Sequence, residues 1–411
     1  MRRVRVLLFT GKGGVGKTTL AAATAAHLAR SGRKVLVVST DPAHSLADVL
    51  DAPVGPEPSE VDGESGVSAS HVDSRGLVDD AWGDLRRHLR TVLAGAGVDE
   101  LDAEELTVLP GVEELLALAE VERLARGGPW DTVVVDCAPT AETLRLLALP
   151  EAFATYLERL FPTHRRVVRG LLAGLAGGVA EQWDAVADAL GRLARRLAEL
   201  RDLLTDQDTT SVRLVLTPER VVAAETRRTL TALALQGVRV DGLVVNRVLP
   251  DLGGEDSPAA RWLRTRRAEQ EGVLAELRGA VELAGLGDAP VRVVEHRAAE
   301  PVGLPALAEL ADQLYGGDDP LAGPGGRPLV SVSGGGRDLD SEFHLRLAVP
   351  LAADTAVDLA RVGDDLAVTV DGRRRLVALP SVLRRCVVSD AVADDHGLLV
   401  SFRPDPRLWM R

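Results

Sequence analysis

The sequence predicts an α/β fold, a mostly parallel sheet with helices on both faces and a helical insertion, followed by a small all-β sandwich. Three observations carry this. The strands read at Val4 to Phe9, Lys34 to Val38 and Thr132 to Val135 have continuous rather than alternating apolar stretches (Val6 to Phe9, Val35 to Val38, Val133 to Val135), as strands buried on both faces have. A glycine-rich turn joins the first run to an Ala- and Leu-rich segment, Thr19 to Arg30, that reads as a helix. After a Gly, Pro and Asp-rich stretch at 316–338, the apolar period becomes two, with Phe343, Leu345, Leu347 and Val349, then Leu366, Val368 and Val370.

The turn after the first strand is Gly11-Lys12-Gly13-Gly14-Val15-Gly16-Lys17-Thr18-Thr19. It fits G-x-x-x-x-G-K-[ST], in which glycines let successive backbone N–H groups wrap phosphates at a helix N-terminus. Lys17 is placed to bind phosphate and Thr18 to hold Mg²⁺ through its hydroxyl. The chain has three lysines (Lys12, Lys17, Lys34) among 48 basic residues, and two of them fall in this loop. A compact ammonium fits where a planar guanidinium collides with the cradle.

Bulk properties exclude several classes. At 411 residues, two or three domains are expected. A net charge of −13 and a pI near 5.2 argue against nucleic-acid binding, since the Arg373 to Arg375 run is an isolated basic patch on an acidic chain. Cys137 and Cys386 are far apart, which offers neither a disulfide framework nor a zinc site and suits a reducing cytoplasm. No stretch approaches the length of a membrane span, so membrane contact is expected only through a client.

In order along the chain, the second strand runs into Ser39-Thr40-Asp41-Pro42-Ala43-His44-Ser45-Leu46. Asp41, at the carboxyl end of a parallel strand, either orients a water against a terminal phosphate or caps a turn before Pro42. Residues 51–75 read as loop with one strand, and Leu77 to Leu93 and Glu113 to Leu124 as helices. The run Asp131 to Asp136 is a strand ending in an acid, where a carboxylate holds Mg²⁺ directly or through its waters. In 151–204, Phe153, Tyr156, Leu157, Leu160 and Phe161 share one helical face, and Trp183, Val186, Leu190, Leu193, Leu197, Leu200 and Leu204 form a second stripe. These stripes either line a groove for an apolar client or pack the domain's own core. Val212 to Leu216 and Val240 to Val245 are further strands, the second ending in Asn246, the chain's one asparagine. Arg261 to Arg278 reads as a charged helix and Val291 to Val294 as the last strand of the sheet.

Lys12 in the loop, the Asp41-Pro42-Ala43-His44-Ser45-Leu46 run and Asp136-x-Ala138-Pro139-Thr140 followed by Thr143 to Leu147 together resemble one family. It comprises the arsenite-pump ATPases and the ATPases that target tail-anchored membrane proteins. Pro110-Gly111-x-x-Glu114 and Glu300-Pro301-Val302-Gly303-Leu304 resemble it too, so the likeness covers about residues 1–315. The resemblance implies an Mg²⁺-dependent ATPase that closes as a homodimer around two ATP molecules. It implies that Lys12 reaches the partner's nucleotide, that Asp41 orients water and that Asp136 belongs to the second switch. It also implies nucleotide contact at Asn246, as adenine reader, and at Pro301. Two features depart from the pattern. Ala141-Glu142 stands where the family commonly has Gly-His, and the clustered thiols of an arsenite site are missing.

The resemblance sets an ATPase domain at 1–315 (helical client subdomain about 151–204), a linker at 316–338 and a sandwich at 339–411. In the last, Leu379-Pro380 and Gly397-Leu398-Leu399 look like the α-crystallin domain of small heat-shock proteins. A glycine-rich linker is expected to tether the sandwich without fixing its orientation. The sandwich then either binds an apolar client or caps the core.

Overall fold

The computed structural model describes residues 4–41, 45–63, 65–73, 112–137, 195, 198–251, 253–254, 256–283, 290–322, 329–349, 351, 355–370, 372–394 and 396–409. The expected helix at Leu77 to Leu93, the switch residues Pro42 to His44 and Ala138 to Leu147, and nearly all of 151–204 lie outside them.

Strands β1 (Arg5–Thr10), β2 (Val35–Ser39), β3 (Ser59–Glu60), β4 (Val67–His71), β5 (Thr132–Asp136), β6 (Thr210–Leu216), β7 (Val240–Val248) and β8 (Val291–Glu295) build one sheet. Its order is β3-β4-β2-β5-β1-β6-β7-β8. The β2–β4, β2–β5, β6–β7 and β7–β8 pairs are parallel, and the short β3 runs antiparallel to β4. The helices are α1 (Lys17–Arg30), α2 (Ser45–Leu50), α3 (Val112–Gly127), α4 (Arg220–Leu235), α5 (Pro258–Leu283) and α6 (Leu304–Tyr315). The mostly parallel α/β fold predicted from the unbroken apolar runs is therefore present, and β2, β5 and β6 are buried along their full length.

The chain divides into two compact units, Met1–Val6 with Ala21–Thr209 and Val302–Leu304, and Leu7–Leu20 with Thr210–Pro301 and Pro305–Arg411. In the first, β2 pairs with β4 on one side and β5 on the other, and Leu116, Ala117, Val121 and Leu124 form the buried stripe of α3. That spacing, with polar Glu and Arg between, makes α3 amphipathic.

In the second unit, β6 and β7 carry a buried ion pair between them. Arg213 donates to Asp241 through Nε (3.1 Å) and Nη2 (2.9 Å), to the Tyr315 hydroxyl (2.7 Å) and to the Pro320 carbonyl (2.8 Å). Ser211 adds a hydroxyl to the same carboxylate at 3.0 Å. Burial alone works against the guanidinium's charge. Asp241 and Tyr315 outweigh it and hold Arg213 protonated, above even the ordinary arginine value. This network ties the end of α6, and the chain just after it, to the sheet.

The same unit contains a sandwich of two antiparallel sheets. One is β14-β15-β10-β9 and the other β11-β12-β13, built from β9 (Val330–Gly335), β10 (Glu342–Leu347), β11 (Val357–Val362), β12 (Asp365–Val370), β13 (Arg373–Ala378), β14 (Cys386–Asp394) and β15 (Gly397–Pro404). The period-two residues meet inside it: Phe343, Leu345 and Leu347 from β10, Leu366, Val368 and Val370 from β12, Leu398, Val400 and Phe402 from β15.

Two expectations are corrected here. The stretch 316–338 is not all linker, because Val330–Gly335 is strand β9, paired antiparallel with β10 from Leu347↔Val330 to Glu342↔Gly335. Its glycines disguise a strand whose backbone is fixed by the ladder rather than by side-chain burial. Nor is the sandwich loosely tethered. Ala234 and Leu235, at the end of α4, are buried in the sandwich core, and Arg375 donates to the Ala234 carbonyl at 3.3 Å.

Candidate nucleotide site

The loop predicted to cradle phosphate connects β1 to α1. Its first and last glycines are demanded by close approaches. A Cβ on Gly11 would sit 2.1 Å from the Val215 carbonyl oxygen, and one on Gly16 (φ +96°) 2.4 Å from the Asn246 side-chain nitrogen. Beside Gly13 and Gly14 there is open space, so the middle of the loop is where a ligand can approach the backbone. Such a cradle, lacking Cβ atoms where phosphates must come close, fits a nucleotide's polyphosphate.

Lys17 is 6 % exposed, and its ammonium donates to the Lys12 carbonyl at 3.2 Å, folded over the loop it serves. Lys12 points the other way. Its side chain is half exposed, with Nζ 3.8 Å from the Glu225 carboxylate on α4. Val15 is buried, while Thr18 and Thr19 are half-buried in the first turn of α1.

Asn246 does more than end a strand. Its Nδ2 donates to the Val15 carbonyl at 2.9 Å and its Oδ1 accepts from the Arg247 N–H at 2.9 Å. Arg247 takes φ +62°, a left-handed conformation rare for an arginine, which the Asn246 bond helps to hold. Asn246 is thus a strut between β7 and the loop, and Gly16 is glycine because that strut passes over it. One N–H and further lone-pair capacity remain on the amide for a second partner. Pro301, also expected at the nucleotide, is half-buried in the loop between β8 and α6.

The acids belong to the other unit. Asp136 is fully buried at the end of β5, and Ser39 Oγ donates to its Oδ2 at 3.1 Å. The Thr40 N–H donates to the Asp136 carbonyl at 2.9 Å, and the Asp41 N–H to Ser39 Oγ at 3.2 Å. The end of β2 is thereby laced to the end of β5, and Asp41, half-buried, follows directly. A carboxylate at Asp136 and a hydroxyl at Thr18 are hard oxygen donors, the kind Mg²⁺ takes. Among the described residues, no group of three or more His, Cys, Asp or Glu is gathered as a metal cage. Both cysteines are buried, and neither forms a disulfide.

A model of the anion-transporting ATPase family matches residues 4–316, and one of an HSP20-like domain found in that family matches 340–402. The chain belongs to the anion-transporting ATPase family. A Mycobacterium tuberculosis protein, Rv2184c, is 43 % identical over 99 % of this chain and 98 % of its own. A putative arsenical pump-driving ATPase of Prosthecochloris vibrioformis is 33 % identical over 97 % of this chain and 96 % of its own. The ATPase get3 of Aspergillus terreus is 31 % identical over 66 % of this chain and 81 % of its own. The family resemblance read from Lys12 and the two switch motifs thus agrees with whole-chain comparison, and the enzyme is an ATPase by family. No helix among the described residues is long and apolar enough to cross a membrane.

Sequence reasoning passed over one residue beside this site and one role within it. Glu225 sits on α4, a helix not anticipated, although Val222, Ala223, Thr226, Leu230 and Leu233 repeat at helical spacing. The strut role of Asn246 had no sequence signal beyond a lone amide at a strand end.

Proposed function

We propose that the protein is a homodimeric, Mg²⁺-dependent ATPase that couples ATP binding and hydrolysis to the handling of an apolar protein client. The observation that carries this is the cradle itself, with a buried Lys17 folded over a loop whose middle glycines, Gly13 and Gly14, leave open space for a ligand to approach the backbone. In this reading the amides of Gly13, Gly14, Val15, Gly16, Lys17, Thr18 and Thr19 bind phosphate, and Asn246 and Pro301 border the base. Lys12 serves the partner subunit's nucleotide. Asp41 accepts a hydrogen bond from the attacking water and orients it. Mg²⁺, held by Thr18 and by Asp136 directly or through water, would neutralise charge on the phosphates.

Asp41→Asn tests this. Turnover falls by ~10² or more while ATP affinity stays within a few-fold, because a water-orienting acid contributes in the transition state. A large loss of binding with a small loss of rate removes Asp41 from the role.

The names of several relatives favour a second reading, the energising subunit of an anion pump. Against it, thiolate capture of arsenite needs clustered sulfurs, and the ATPase part of this chain supplies Cys137 alone. Arsenite accordingly leaves the ATPase rate unchanged. Stimulation at micromolar arsenite that disappears in Cys137→Ser would favour the pump.

A further inference from the structure

Lys12 has a partner within its own subunit. Its ammonium lies 3.8 Å from Glu225 Oε2, and the two side chains are 50 % and 43 % exposed. The two ends of that contact differ in freedom. Glu225 is carried by α4, whose Val222, Ala223, Thr226, Leu230 and Leu233 are buried, and whose last residues, Ala234 and Leu235, are locked into the sandwich core. The carboxylate is therefore presented from a helix fastened along one face and at its far end. Lys12 sits on an exposed turn followed by Gly13 and Gly14, with open space beside both, and its four-carbon stem lets the ammonium swing. A lysine that must serve a phosphate outside its own loop cannot hold a carboxylate at the same time.

We propose that Glu225 is a positioning residue that parks Lys12 in cis, so that releasing this ion pair is a cost of engaging nucleotide. The inference rests on the reading above, in which Lys12 acts on the partner's ATP. A half-exposed ion pair is the right strength for such a device. It is worth a factor of about 2 to 5 in an equilibrium, enough to bias an open state and easily overcome by a phosphate chain. The location couples it to the sandwich as well, since α4 connects the carboxylate to Leu235.

The test is a double-mutant cycle on the full-length protein, with ATP as the probe and steady-state turnover as the readout. Glu225→Gln keeps the shape and removes the charge. It lowers KM for ATP by about 2- to 5-fold with kcat within a factor of about two, and the shift shrinks as salt rises. In the Lys12→Ala background the same substitution leaves KM unmoved, because there is nothing to release. An unchanged or raised KM in Glu225→Gln, or an equal shift with and without Lys12, overturns the proposal. The two failures separate cleanly. If Lys12→Ala alone keeps wild-type turnover, the trans role of Lys12 has failed. If Lys12→Ala is crippled and Glu225→Gln is silent, only the parking role has.

Discussion

Two ion pairs in one unit of the molecule differ sharply in burial. Arg213 and Asp241 are 5 % and 3 % exposed, linked by two N–H bonds and completed by Tyr315, Ser211 and Pro320. Lys12 and Glu225 are half exposed and 3.8 Å apart, and among the described residues no further partner joins that contact. A buried pair of that kind cannot open without stranding a charge in a low-dielectric interior, so it behaves as frame. An exposed pair exchanges its partner for water or for another anion at little cost, so it is available as a moving part. The residue types follow suit. The frame uses arginine, whose fork satisfies several acceptors at once, and the loop uses lysine, a point charge on a flexible stem.

Breaking the frame has the largest expected effect. Arg213→Ala leaves Asp241 buried and unpaired and costs about 3–5 kcal/mol in chemical denaturation. Replacing both partners by apolar residues of similar volume, Arg213→Met with Asp241→Leu, recovers most of it. Equal losses in the single and double variants would show that the network is not a frame of paired charges. Next comes Leu235→Ala, which removes an apolar side chain from the sandwich core and costs about 2 kcal/mol. A loss under a few tenths, measured the same way, would mean that α4 merely touches the sandwich.

The moving part responds in rate instead. Lys12→Arg keeps the charge but slows turnover by about tenfold, with stability unchanged within ~0.5 kcal/mol, because a guanidinium does not fit the same cradle. Mixing Lys12→Ala with Asp41→Asn subunits restores part of the activity if Lys12 acts in trans, since both defects then gather in one site of each mixed dimer. No recovery despite proven subunit exchange counts against trans action.

The smallest effect lies on the sandwich surface, where Arg346 clasps Asp394 at 2.7 and 2.9 Å. The Arg346 hydrogen bonds hold the Asp394 carboxyl below its usual value. The stabilisation is therefore complete above the ordinary Asp pKa of about 3.9 and is lost as pH falls through the lowered value. Being exposed, the pair is worth under ~1 kcal/mol. Acid titration of wild type and Arg346→Ala should differ by no more than that, with the difference full above about pH 4 and fading as pH falls through the lowered value.

Much of this organisation is written in the sequence, but unevenly. Val35–Ser39 and Thr132–Asp136 announce buried parallel strands because each carries a continuous valine- and leucine-rich run up to a polar end. Phe343, Leu345 and Leu347 announce a half-buried strand because alternation maps directly onto the two faces of a sheet. By contrast, β9 is hidden behind Gly334 and Gly335, since its order comes from ladder bonds to β10 and not from its side chains. The Arg213–Asp241 pair looks like two interruptions in apolar strands until β6 and β7 are placed side by side. Helix α4 escapes notice because Arg220, Val221, Arg227 and Arg228 are exposed on its outer face, and its last residues, Ala234 and Leu235, are buried by strands far along the chain.

That last point bears on how the protein is made. Leu235 is synthesised long before Phe343, Leu366 and Phe402, the residues that enclose it. When the ATPase part leaves the ribosome, the end of α4 therefore still lacks the cover that β10, β12 and β15 supply. The closing contact is a non-local one, slow to form and dependent on strands made much later. A prematurely terminated chain would therefore carry an intact phosphate loop together with an adhesive apolar helix end. A helix of the nucleotide-binding part is thus completed only by residues more than a hundred positions further along the chain.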